Sequence, residues 1–338
     1  MSPLRAAIIG LGVGEQHIAG YRAHPGAEVV AVCDIDPAKL AMAAERHPEL
    51  RRTREARELL LDPEIEVVSV ASHDDAHYEQ IRLALEHGKH VFAEKPLVLH
   101  EHEAIEVARL LREHPELRLS SNLPLRLSPR FIRVRELVAA GELGELFHLE
   151  GDYDYGRRHK LTDGWRGRIP YYSVMLGGGI HMVDLLTWIT GLRVVEVVTA
   201  AGNSIATAGS PFVHPSFVTA LLRTDAGPLI KVNANLGCVS RHFHAVRIYG
   251  TAGTFVNGLP GGVLYRPAPA PQEAVATAID DPYPGVAKGD LIESFVESIL
   301  TGAEARVTAR DAFAGLSVCL AVERALAGGG PVAVEYLL

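Results

Sequence analysis

Leu4-Arg5-Ala6-Ala7-Ile8-Ile9-Gly10-Leu11-Gly12-Val13-Gly14 is an apolar run that breaks into three glycines, and a helical pattern follows it. A strand, a glycine turn and a helix in that order let the backbone approach a pyrophosphate. The aligned peptide dipoles at the helix N-terminus then stabilise its charge. Gly10, Gly12, Val13 and Gly14 are the expected phosphate-facing residues. The spacing departs from the usual G-x-G-x-x-G fingerprint, because Glu15 holds its third-glycine position and Gly14 arrives one residue early. The next apolar run ends in Asp34, 22 residues after Gly12. An acid at that place accepts hydrogen bonds from the adenosine ribose hydroxyls and repels a 2′-phosphate. A solvated strand-end acid or a helix cap would look the same. No arginine follows at once, since Ile35 and Asp36 come next. NAD is therefore expected, with NADP disfavoured.

Working outward, residues 1–122 alternate short β-branched runs with helical patterns, the signature of βαβ units. Strands are expected at Leu4–Ile9, Glu28–Asp34, Glu66–Val70, Lys89–Ala93 and Leu117–Asn122. Their near-continuous hydrophobicity suits a parallel sheet buried on both faces. Asp36-Pro37 reads as a helix start, and Asp74 or Asp75 as a cap for a helix that stops at Gly88. Residues 123–338 read differently. Helices are expected at Pro129–Ala140, His181–Thr190, Gly289–Leu300 and Ala309–Ala327. Strands Leu146–Asp152, Val194–Ala201, Phe217–Arg223, Leu229–Asn235 and His244–Tyr249 come without helices between neighbours in the later run, and Pro331–Leu337 forms a last strand. Consecutive strands favour an antiparallel sheet. The expected fold is an α/β Rossmann domain over residues 1–122, then an α+β domain over 123–338 with a large, open, mostly antiparallel sheet. The Pro/Gly-rich segment Leu259–Pro271 reads as an exposed loop.

Composition excludes several partner classes. Hydrophobic residues make up 48% and charged residues 22% of 338, a globular balance. A net charge of −8 leaves no basic footprint for nucleic acid. No apolar run reaches the roughly 20 residues that span a bilayer. Three scattered cysteines imply neither disulfides nor a metal site, and the 16 histidines show no ligand spacing, so no metal is expected. A cytoplasmic location follows as the default.

Two further stretches carry chemistry. One is Ala71-Ser72-His73-Asp74-Asp75-Ala76-His77 followed by His87-Gly88-Lys89-His90-Val91-Phe92-Ala93-Glu94-Lys95-Pro96-Leu97; the other is Gly178-Gly179-Ile180-His181-Met182-Val183-Asp184-Leu185. With Gly250-Thr251-Ala252-Gly253-Thr254, they closely resemble the Gfo/Idh/MocA family of glucose–fructose oxidoreductase, inositol dehydrogenase and rhizopine-catabolism proteins. The resemblance spans essentially the whole chain, and Glu-Lys-Pro is its most specific mark. It implies that Lys95 and His181 are the catalytic lysine and histidine, that Glu94 contacts a cofactor ribose, and that a cis bond precedes Pro96. Ser72, Asp74 and His77 fall in the stretch bordering the nicotinamide side, with His73 in place of the commoner proline. Asp184 matches the acid one helical turn after the histidine.

The chemistry stands without the family. Oxidising a secondary alcohol needs a hydride acceptor and a base for the hydroxyl proton; histidine serves as that base at neutral pH, and a lysine can polarise the same oxygen. His181 and Asp184 are three apart on one helix face, so the acid can orient the imidazole. Many family members place an aspartate four residues before the histidine. Here that residue is Gly177, which is expected to leave extra volume and to favour a bulkier or acidic substrate over myo-inositol.

Candidate substrate contacts are Asn122 and Arg126 after the last Rossmann strand, and Tyr155, Arg157, Trp165 and Arg166, a stretch dense in aromatic and cationic groups. His242 and His244 face one side of a strand and either approach the pocket or decorate the sheet. Aromatic faces and converging polar groups suit a hydroxylated ring. The leading expectation is an NAD-dependent dehydrogenase acting on a sugar, sugar derivative or cyclitol. An NAD-dependent glycoside hydrolase and a non-catalytic NAD- or sugar-binding regulator stay open beside it. The open sheet implies a homodimer or homotetramer.

Overall fold

The computed structural model of the chain describes residues 2–268 and 274–338. Its helices are α1 (Glu15–Arg22), α2 (Pro37–Arg46), α3 (Ala56–Leu60), α4 (His77–Glu86), α5 (Glu101–Glu113), α6 (Pro129–Ala139), α7 (His159–Thr162), α8 (Ile180–Thr190), α9 (Asp290–Thr301) and α10 (Ala309–Gly328). Two compact units emerge. One takes the chain up to Pro124 together with Ala287–Phe313 and Leu337–Leu338; the other takes Leu125–Val286 and Ala314–Tyr336. The first unit thus includes α9, which a single division after residue 122 places in the second.

The first unit is built on β1 (Leu4–Ile9), β2 (Ala27–Cys33), β3 (Arg51–Thr53), β4 (Val67–Val70), β5 (His90–Ala93) and β6 (Leu119–Ser121). They pair in the order β3-β2-β1-β4-β5-β6, parallel throughout. Ala6, Ala7, Ile8, Val67, Val68 and Val91 are closed to solvent, as a sheet covered on both faces requires. The order reverses between β1 and β4, and ligands of such sheets bind beyond the strand ends at that switch point. α9 closes the unit, with Phe295 tilted against Phe92 of β5 at 5.7 Å between ring centroids. The edge strand β3 is Arg-Arg-Thr, too short and too charged to show in a hydrophobic pattern.

The second unit carries β7 (Leu146–Asp154), β8 (Val194–Asn203), β9 (Phe217–Thr224), β10 (Leu229–Asn235), β11 (Phe243–Gly250), β12 (Thr254–Asn257), β13 (Gly262–Pro267), β14 (Ala274–Ile279) and β15 (Val332–Ala333). Their order is β14-β13-β12-β11-β7-β10-β9-β8-β15. β7 and β10 run parallel and the other ladders antiparallel. Burial alternates along β10, where Ile230, Val232 and Ala234 point to the core. The other face is polar at its centre: Arg247 meets Glu150 at 2.8 Å and Lys231 meets Asp152 at 3.3 Å.

Several local expectations need correction. The proline/glycine-rich stretch holds β13, and its residues 269–271 lie outside the described residues. Pro331–Leu337 reduces to the two-residue β15. Asp74 and Asp75 do not cap α4; with Ala76 they form a 3₁₀ turn before it. Asp36 does cap α2, accepting from the Ala38 amide at 2.9 Å.

Candidate active site

In the first unit the glycine turn is sterically fixed. Gly10 has φ +93°, and a Cβ there would lie 2.6 Å from the Ser72 nitrogen. At Gly12 the situation is reversed: a Cβ would meet only the Lys39 Nζ, at 4.0 Å, so the turn leaves open space above it. Val13 is more than a third exposed beside it. The buried Asp34 ties β2 to this turn, its Oδ2 accepting from the Leu11 amide at 2.7 Å and from Lys39 Nζ at 3.1 Å. Arg54 donates to the Ile35 carbonyl at 3.2 Å. One cation, Lys39, therefore stands on the acid that the local sequence shows followed only by Ile35 and Asp36, and Arg54 reaches the next residue's backbone. An open cradle over glycine and a strand-end carboxylate fit a dinucleotide.

The Lys95–Pro96 bond is cis. His77, fully buried at the start of α4, lies with Nδ1 2.7 Å from the Pro96 carbonyl and Nε2 3.3 Å from the Ser72 carbonyl. It links the two loops that follow β4 and β5. Ser72 Oγ donates to Gln80 at 2.8 Å, and Asp74 is buried in the turn between them. Asn122 is 0% exposed, and its amide nitrogen donates to Glu94 Oε1 at 2.6 Å and to the Lys288 carbonyl at 2.9 Å. It therefore ties the Glu94 carboxylate to the segment that leads into α9. His17 Nε2 approaches the same Glu94 oxygen at 3.4 Å. Burial alone would raise the Glu94 pKa, but the His17 hydrogen bond and the charges of His17, Lys288 and Lys95 hold it down at about 2.

In the second unit a π-helical turn, Met175–Gly179, leads into α8 and delivers His181. A Cβ at Gly178 would lie 2.7 Å from the Tyr153 ring, so the glycine admits that ring against the turn. The buried His181 imidazole stacks on Tyr153, centroids 5.6 Å apart, and stands 6.1 Å from His244. Tyr155 stacks on the other side of Tyr153 at 6.0 Å, and His242 packs edge-on to His244 at 4.7 Å. Tyr283 Oη accepts from the His244 amide at 2.9 Å and lies 2.7 Å from His244 Nδ1. Both strand histidines thus belong to one cluster with His181.

Cations flank these rings. Arg157 lies over Tyr155 at 5.5 Å and Arg166 over Trp165 at 4.4 Å. Arg126, expected near substrate, is buried and grips the Asp184 carboxylate through Nε at 3.1 Å and Nη2 at 2.6 Å. Asp184, expected to orient the imidazole, has this guanidinium on its carboxylate. Gly177 brings the clearest correction: its missing side chain leaves no vacancy. A Cβ there would clash with the Tyr172 hydroxyl oxygen and lie 2.8 Å from its Cζ. Arg166 Nε donates to that same hydroxyl at 3.1 Å.

Tyr172, Tyr283, His17 and Lys288 were not anticipated. Each reaches its partners across long separations or an irregular turn, and none lies in a motif with a fixed spacing.

Comparison with known proteins adds the following. The profile of the oxidoreductase family with an NAD-binding Rossmann fold (Gfo/Idh/MocA) matches residues 4–122, and that of the GFO/IDH/MocA C-terminal domain matches residues 131–256. Inositol 2-dehydrogenase 2 of Mycolicibacterium vanbaalenii is 26% identical over 99% of this chain and 96% of its own length. The solved myo-inositol 2-dehydrogenase of Lactobacillus plantarum shares the fold with a TM-score of 0.81, at 21% identity over 99% of this chain and 100% of that one. A levoglucosan dehydrogenase solved with NADH and L-sorbose aligns with a TM-score of 0.83, at 19% identity over 99% of both chains.

Proposed function

Because this chain belongs to the Gfo/Idh/MocA oxidoreductase family, with its NAD-binding Rossmann fold, we propose that it oxidises a secondary hydroxyl of a sugar, sugar derivative or cyclitol, with Lys95 and His181 as its catalytic groups. The observation that carries this reading is the setting of His181: a buried imidazole stacked on Tyr153 and edge-on to His244, with Tyr155 and its Arg157 packed against the same Tyr153. Aromatic faces alternating with hydrogen-bonding groups suit a polyhydroxylated ring. The names of the relatives agree in kind, since inositol and levoglucosan are cyclic polyols.

Bound NAD supplies the acceptor for the hydride that leaves the carbinol carbon. The glycine turn would hold its pyrophosphate, Asp34 would accept from the adenosine ribose, and Glu94 would accept from a cofactor ribose. Lys95 holds the substrate oxygen and stabilises the negative charge that grows on it. His181 takes the hydroxyl proton, so the alcohol loses one hydride and one proton and becomes a ketone. The cations over Tyr155 and Trp165 favour a substituted or acidic sugar over myo-inositol. A homodimer or homotetramer through the nine-stranded sheet, acting in the cytoplasm, completes the reading.

The test is a panel of cyclitols, neutral sugars, hexuronates and sugar phosphates at saturating NAD, read as NADH absorbance. The expected result is steady NADH formation, fastest with a substituted or acidic sugar. Glycoside cleavage with no net NADH would overturn the reading in favour of elimination chemistry, and binding without turnover would overturn it in favour of a regulator.

A further inference from the structure

Position 177 stands one turn before His181 on the same helix face, where a side chain would neighbour the imidazole and whatever it acts on. The space that such a side chain would fill belongs to Tyr172. Its phenol oxygen stands too close to Gly177 for a Cβ to be added there, and the residue is 2% exposed, packed edge-on to Trp165 at 6.2 Å and to Phe212 at 5.9 Å. Arg166 Nε donates to the phenol at 3.1 Å. The backbone that carries Tyr172 is held on both sides. Ser173 Oγ accepts from the Met175 and Leu176 amides at 3.1 and 3.0 Å and donates to Glu323 Oε1 of α10 at 2.5 Å. Tyr171 Oη donates to the other Glu323 oxygen at 2.8 Å. The phenol is thus fixed in place by the π-helical turn, by Glu323 and by Arg166.

A phenol in this place differs from a carboxylate carried by residue 177. It is neutral, keeps an O–H to donate, and its donor strength is raised by the guanidinium on its oxygen. On the reading of the chain as a dehydrogenase, we infer that Tyr172 is a further catalytic residue: its hydroxyl, polarised by Arg166, donates a hydrogen bond to the substrate oxygen whose proton passes to His181. The phenol keeps its own proton throughout. It stabilises the charge on the substrate oxygen while the hydride departs, adding a fixed donor where a carboxylate would have opposed that charge.

Tyr172→Phe keeps the ring and removes only the hydroxyl. It should lower kcat by roughly 10- to 100-fold, the loss of one donor to a reacting oxygen, with NAD affinity and the thermal midpoint unchanged. Arg166→Met should lower kcat in the same direction, and by less in the Tyr172→Phe background than in the wild type. Calorimetric titration of NADH-loaded protein with the preferred sugar gives a readout independent of turnover, and Tyr172→Phe should weaken that binding. Full kcat and unchanged binding in Tyr172→Phe would reduce the phenol to a space-filler and overturn the inference alone. A wild type that binds sugars, shows the Tyr172→Phe loss in binding and forms no NADH would overturn the dehydrogenase reading while sustaining Tyr172 as a substrate contact. A wild type that binds no polyhydroxylated compound would overturn both.

Discussion

Arg126 and Asp184 form an ion pair in the interior of the second unit, the guanidinium contacting both carboxylate oxygens with side chains 8% and 3% exposed. The pair fastens the segment after β6 to the middle of α8, the helix that carries His181. Removing one partner takes the paired charge away from the other in a largely buried place. Asp184→Ala or Arg126→Ala should therefore cost about 3–5 kcal/mol in urea unfolding, whereas the double variant Arg126→Leu/Asp184→Leu should cost much less than the two single losses together. Additive losses would show that the two side chains act independently.

Cofactor preference depends on the balance around Asp34. The carboxylate should repel a 2′-phosphate, so NAD should bind more tightly than NADP. Lys39, 3.1 Å from that carboxylate, offsets part of the repulsion. Lys39→Ala should widen the preference by about fivefold, roughly 1 kcal/mol for one partly exposed charge. Asp34→Ser combined with Ile35→Arg should narrow or reverse it. Fluorescence titration with both dinucleotides reads these shifts; equal affinities in the unmodified protein would contradict the role given to Asp34.

Glu94 makes stability depend on acid. Its folded pKa, about 2, lies below the ordinary 4.5, so the folded state favours the ionised form. The resulting stability is complete above the ordinary value and is lost as pH falls from about 4.5 toward about 2. Its size at neutral pH is on the order of 3 kcal/mol. Glu94→Gln should accordingly lose most stability at pH 7 and progressively less below pH 4.5, measured by thermal unfolding. A penalty that stays constant across that range would mean that the carboxylate charge contributes nothing.

What could be read in advance follows the range of the interactions. The glycine turn, Asp34 and the Lys95-Pro96 segment lie within single strand–turn–helix units, where residue type and spacing are enough. The alternating burial of β9 and β10 is equally local, and both strands fall where the pattern predicts. Lys39 reaches Asp34 from the first turn of α2, a contact that the fingerprint does not encode. Asp184 was visible as a neighbour of His181 on a helix, but its partner Arg126 comes from 58 positions earlier. Gly177 showed the loss of a side chain, and only the π-helical turn reveals that Tyr172, five residues before it, fills the place. β12 to β14 escaped notice because turns and exposed positions interrupt their apolar pattern, as along β14, where five of six residues are exposed.

The central claim is that Lys95 and His181 perform the proton and charge work of an alcohol oxidation. The direct measurement is kcat for Lys95→Ala and His181→Ala on the best sugar of the panel, with NAD affinity measured in the same preparations. Each variant should lose roughly 10²–10⁴ in kcat, the range of a general acid–base group, while binding NAD about as well as the wild type. Turnover within a few-fold of the wild type in either variant would contradict the assignment.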